Sequence, residues 1–238
     1  MSPAVSDDDE RKIPTMRHFI EELERLTNKL LEMSSLVESA IYHSVTAVVQ
    51  KDEKLARDVM RNEGRINQME MEIDELAISL LALQHPVAAD LRLTTAALKI
   101  NTDLERMGDL AVNIAERAIS LIHEPVVKPM IDIPHIAALV QSMVRKSLDA
   151  FVSRDADLAR SVLASDDAVD NLRTASYHEL ISFMETDPKN IRQSVNLLSV
   201  VRNLERIADH STNIAEDVLY LAEGIDVRHH AELRQSVP

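Results

Sequence analysis

The sequence predicts an all-α protein made of two similar three-helix bundles, and three observations carry that reading. The first is an internal duplication. Leu-Glu-Arg-Met-Gly-Asp-Leu-Ala-Val-Asn-Ile-Ala-Glu at Leu104–Glu116 recurs 100 residues later as Leu-Glu-Arg-Ile-Ala-Asp-His-Ser-Thr-Asn-Ile-Ala-Glu at Leu204–Glu216, with eight of thirteen positions identical. The second is apolar spacing by threes and fours along nearly the whole chain, with only three Gly and 3% aromatic residues; this is the composition of long helices and not of a turn-rich β fold. The third is a cluster of Pro125, Pro129 and Pro134 that separates the two copies.

Residues 1–14 precede any periodicity and carry an Asp7-Asp8-Asp9-Glu10 run, so they read as a disordered tail. The first repeat occupies 15–123. Its first helix follows Phe19, Leu23, Leu26, Leu30, Met33, Val37, Ile41, Val45 and Val48 from His18 onward. Lys51-Asp52 breaks the pattern, and Asp52 suits the N-cap of a second helix from about Glu53 to Leu83, ended by His85-Pro86. A third helix covers about Val87 to Ile122. Residues 124–134 form the proline-rich linker. The second repeat, 135–225, gives helices at about His135–Ser153, Ala156–Glu185 and Pro188–Glu223, with Asp155 as a cap and Gly224 at a helix C-terminus. Residues 226–238 read as a tail. Asp52–Met69 aligns with Asp155–Leu172 at an offset of 103, so one copy has the shorter connection before its third helix. Short connections favour antiparallel neighbours; a continuous six-helix bundle is the alternative packing.

The formal charge of −14 disfavours nucleic acid, whose phosphates such a surface repels, and suits cations or a basic partner. No apolar run approaches the ~18 residues of a membrane span, and no basic-then-apolar signal segment opens the chain, so a cytoplasmic protein is expected. The absence of Cys excludes disulfides and thiolate sites.

The duplicated motif carries chemistry. Glu105, Asp109, Asn113 and Glu116 return as Glu205, Asp209, Asn213 and Glu216. Steps of four, four and three put them on one helical stripe, opposite the apolar arc of Leu104, Met107, Ala111 and Ile114. The second helix offers a similar stripe of Glu63, Asn67, Glu70 and Asp74, and its copy has Asp166 and Asp170 at the first two positions. Carboxylates at i,i+4 are about 5–6 Å apart at Cβ, so both can reach one hard cation. Two such pairs on adjacent helices would suit Mn, Fe, Mg or Zn. The plainer reading is a solvated face with Arg106, Arg117 and Arg206 as partners, but random drift would scatter solvent-facing residues first.

Arg92 and Arg192 also repeat and could hold an anion, though such an Arg more often pairs with a neighbouring carboxylate. His210 lies off the acidic stripe, replaces Leu110 and reads as surface. His229-His230 could bind metal but reads as tail.

Asp103–Glu116 and its partner, with Asp90-Leu91-Arg92 and the closing Glu223–His229, resemble the PhoU family, accessory regulators of bacterial phosphate-specific transport. The resemblance covers His18 to His229. It implies two three-helix bundles and metal-binding E(D)xxxD motifs on the second and third helices of each half. By position, Glu105 with Asp109, Glu205 with Asp209 and Asp166 with Asp170 fit that pattern. Glu63 fits as well, but its partner is the neutral Asn67, so the resemblance places a tighter site in the second half. It further implies a homodimer without enzymatic activity that exerts negative control of the phosphate-starvation response, coupling the phosphate ABC transporter's ATPase subunit to a sensor histidine kinase. A rival class, the carboxylate-bridged di-iron or ferritin-like proteins, places Glu-x-x-His pairs in a bundle core. No His here has Glu three residues before it. A plain helical scaffold with solvated acids is the other rival.

Overall fold

The computed structural model describes residues 7–122, 124, 131–224 and 227, with side chains from residue 18 onward. Six α-helices and one short 3-10 turn make up the fold, with no strand among the described residues: α1 (Asp7–Gln50), α2 (Glu53–Gln84), α3 (Ala88–Ile122), α4 (Ile133–Ser153), α5 (Ala156–Thr186) and α6 (Ile191–Glu223), the turn being Pro188–Asn190. Helix α1 begins at Asp7, well ahead of the start that apolar spacing gives at His18. Residues 1–6, Pro125, Pro129 and His229-His230 lie outside the described residues.

The breaks follow local chemistry. Lys51 turns the chain out of α1 at φ 55°, and Asp52 then caps α2 by accepting the Leu55 amide at 2.9 Å. Asp155 caps α5 by accepting two amides, those of Asp157 and Leu158, each at 2.9 Å. Gly224 closes α6 in the left-handed region at φ 74°, donating its N–H to the Tyr220 carbonyl.

Within each half the third helix is covered by the other two: α1 and α2 pack on α3, and α4 and α5 on α6. The halves join through equivalent elements, α3 against α6 and α1 against α4, as a two-fold relation between duplicated units would give. Ile100, Leu104, Met107 and Ile114 of α3 and Val200, Leu204, Ile207 and Ile214 of α6 are completely buried. The apolar arcs of both motifs therefore form the centre of the molecule, which turns the acidic stripes outward, toward α2 in one half and α5 in the other.

Candidate functional site

The first acidic face lies along the α2–α3 groove, and a glycine sets its width. A Cβ at Gly108 would stand 3.1 Å from Ile66 Cδ1 and 3.3 Å from its Cγ2. The two helices thus approach closely one residue before Asp109 and three after Glu63. The Glu63 pKa is raised above 4.5 there by partial burial, by Asp109 and by Glu116. Glu105 is raised as well, by burial first and then by Asp109, Glu70 and Glu63, against a smaller pull from Arg106. Five acids from two helices therefore act on one another. Among the described residues no Lys or Arg pairs with Glu63, Glu105 or Asp109; the one base in contact with the group is Arg117, 3.5 Å from Glu116. Asn67 lies on the same stripe of α2, and its Oδ1 is buried without a donor. An orphaned amide oxygen beside hard carboxylates is a donor set that fits an oxygen-preferring cation.

The second face, between α5 and α6, repeats the geometry with one change. Glu205 is raised by burial and by Asp209, and Asp209 by burial and by Asp170. Here a guanidinium stands among the acids. Arg173 Nε is 3.4 Å from Asp170 Oδ1 and 3.4 Å from Glu205 Oε1, and its guanidinium carbon lies 5.9 Å from the centre of the Tyr177 ring. Arg173 opposes the rise at Glu205, and at Asp209 it does so after His210. At the offset of 103, Arg173 replaces Glu70 and Tyr177 replaces Asp74.

The structure thus brings together Glu63, Glu105 and Asp109 in one half and Asp170, Glu205 and Asp209 in the other. Asp166 is half-buried one turn before Asp170 on α5. As placed, no three His, Cys, Asp or Glu side chains among the described residues converge tightly enough to ligate one ion. Glu216 departs from the outward-facing stripe: it is only 5% exposed, because α6 is covered on three sides by α3, α4 and α5.

Sequence reasoning missed Arg173, although carrying the repeat alignment one residue beyond Leu172 exposes the Glu70-to-Arg change. It also misplaced His210, which is not surface. It is 8% exposed, with Nδ1 2.8 Å from Oδ1 of the equally buried Asp103 across the α3–α6 seam. Asn213 reaches the same oxygen at 3.4 Å, and Lys99 pairs with the buried Asp217 at 2.8 Å. The reason is again α6 packing on three neighbours, which buries more of its circumference than its apolar arc covers. Arg192 meets Glu124 at 3.6 Å and is otherwise solvent-exposed, in keeping with a carboxylate partner. The Arg92 Nε is buried without one.

A family model, described as PhoU domain, matches twice, over residues 30–118 and 133–218. The chain belongs to the PhoU family. The two matches are the duplicated halves. A relative from Pseudomonas aeruginosa, described as a phosphate-specific transport system accessory protein PhoU homolog, is 43% identical over 214 residues, 90% of this chain and 88% of its own. One from Aquifex aeolicus with the same description is 40% identical, covering 89% and 96%. Among solved structures, the crystal structure of PhoU from Pseudomonas aeruginosa superposes with a TM-score of 0.83 at 42% identity, covering 87% of this chain and all of that one. A phosphate transport system regulatory protein PhoU from Streptococcus pneumoniae gives 0.82 at 30% identity, covering 88% and 99%. No helix among the described residues is long and apolar enough to cross a membrane.

Proposed function

We propose that this chain is a non-enzymatic regulator of phosphate uptake that acts as the accessory protein of a phosphate-specific transport system. The observation that carries this reading is the 43% identity over 90% of the chain with a relative so described, together with both halves matching the same domain model. The finer reading is negative control of the phosphate-starvation response from the cytoplasm, through contacts with the transporter's ATPase subunit and a sensor histidine kinase. The exposed acidic faces and the charge of −14 support docking to a basic partner surface.

The same reading includes a cation held by Glu63, Glu105 and Asp109, with the Asn67 Oδ1 as a neutral donor. Oxygen-only donors favour Mn, Mg or Fe(III) over Zn, which prefers nitrogen and sulfur. A cation there would cross-link α2 to α3 and relieve the repulsion that, after burial, raises Glu63 and Glu105. A homodimer is also part of the proposal. The α1 stripe from Leu26 to Val48 is consumed by the chain's own core, so a partner would use exposed groups such as Ile20, Tyr42 and Val49.

Deleting the gene in its host and assaying a starvation-induced phosphatase in phosphate-rich medium tests the regulatory role. The expected result is phosphatase expressed despite ample phosphate, restored to silence by the wild-type chain. A deletion strain that keeps normal repression and normal phosphate uptake overturns it. Co-purification with the tagged ATPase subunit, and light scattering for the dimer, test the partners separately.

A further inference from the structure

The two acidic faces are copies of one unit, yet they differ at their centre. In the first, Glu70 adds to the field on Glu105. In the second, the residue at the same place is Arg173, within 3.4 Å of both Asp170 and Glu205. Arg173 is also held in place. The Tyr177 ring stands beside its guanidinium, and Asp170 is one turn back on the same helix. A planar guanidinium with delocalised charge is weakly hydrated and remains protonated at every physiological pH. It does for Asp170 and Glu205 what a bound cation would do, at fixed stoichiometry and without dissociating. A divalent ion entering that face would have to displace the guanidinium and would then meet its repulsion at close range.

We propose that Arg173 is the resident counterion of the second acidic face and excludes a metal ion from it, so that the two halves are unequal: the first takes an external cation and the second carries its own. This rests on the cation-binding reading of the first half given above, and it reverses the order of affinity expected from Asn67 alone. It also gives the duplication a use. Only one half responds to cation supply, so a cation can change the α2–α3 groove without changing the α5–α6 groove.

The test is the stoichiometry of Mn2+ on chelator-stripped full-length protein, counted by native mass spectrometry and by the loss of the free-ion electron paramagnetic resonance signal. Wild type should bind one ion per chain, lost in the Glu63→Gln plus Asp109→Asn variant. Arg173→Gln should bind two, the second lost when Glu205→Gln and Asp209→Asn are added. Glu70→Arg, which copies the second half into the first, should bind none, and it carries the test if Arg173→Gln does not fold. Two equivalent ions on wild type, one ion on Arg173→Gln where wild type also binds one, or an unchanged ion on Glu70→Arg would each overturn the proposal. An ion on Arg173→Gln but none on wild type removes the first-half reading and leaves the role of Arg173 standing; none on either removes both. A readout without metal accompanies the count: in chelator at pH 7.5, Arg173→Gln should melt below wild type by roughly 2–4 °C, and the deficit should shrink as Glu205 and Asp209 become protonated. Equal melting at every pH overturns the counterion role.

Discussion

Replacing Asp109 with Asn should stabilise the protein in chelator and abolish its stabilisation by a cation. The substitution is isosteric, and Asp109 is exposed, so the new amide stays hydrated. The lost charge faces Glu105 one turn back on α3 and Glu63 across the groove. After burial itself, it is the first cause of the raised pKa at each. A like-charge pair at i,i+4 on an exposed helix costs about 0.2–0.5 kcal/mol, and a second, solvent-screened pair costs a similar amount. The variant should therefore gain roughly 0.5–1 kcal/mol, about 1–4 °C in melting temperature for a chain of this size. With Mn2+ at 100 times its dissociation constant, wild type gains about 2.7 kcal/mol; the variant gains little, and the order reverses. The pH dependence has a definite sign. An acid whose pKa is raised in the folded state contributes stability that is present below its unfolded value, here 4.5, and is lost as pH rises through the folded value. The gap between the variant and wild type in chelator should thus be full at pH 7.5 and close as pH falls through that window. Differential scanning calorimetry at low salt measures all three quantities. A variant that melts at or below wild type in chelator, or that gains as much from Mn2+, refutes the reasoning.

Three further outcomes follow from the packing. His210→Leu, which restores the residue of the first copy, leaves Asp103 buried with only the 3.4 Å contact from Asn213; it should cost about 1–3 kcal/mol in urea unfolding, and a cost below ~0.5 kcal/mol would mean that water already solvates the pair. Asp155→Ala removes an acceptor of two amides at the start of α5 and should lower stability by ~1 kcal/mol with an unchanged denaturant slope. Leu204→Ala hollows the completely buried centre of α6 and should cost about 2–5 kcal/mol; a loss near zero would place that residue outside the core.

Much of the fold was legible because its determinants are local. An N-cap such as Asp52 or Asp155 acts on amides two or three residues away, and apolar spacing marks which side of a helix is buried. The duplication then supplied the element order twice over. The acidic stripes were legible for the same reason, since a helix of known period places Glu105 and Asp109, or Glu205 and Asp209, on one face. The α2 contribution was partly legible: Glu63, Asn67 and Glu70 were on the right stripe, while which acids of α3 each one meets needed the α2–α3 register that Ile66 and Gly108 define.

What the sequence determined by itself is therefore the helical class, the two repeated units, their caps and the side of each helix that carries acids. The tertiary structure alone decided which charges meet. Arg173 meets Glu205 because α5 lies against α6 at one particular register, and no period along a single helix contains that register. His210, Glu216 and Asp217 are buried because α6 is surrounded by α3, α4 and α5, whereas a helical wheel assumes a single buried side. Periodicity describes one helix facing one core; the partner of a charge depends on the relative position of two helices, which only the packing of the whole chain sets.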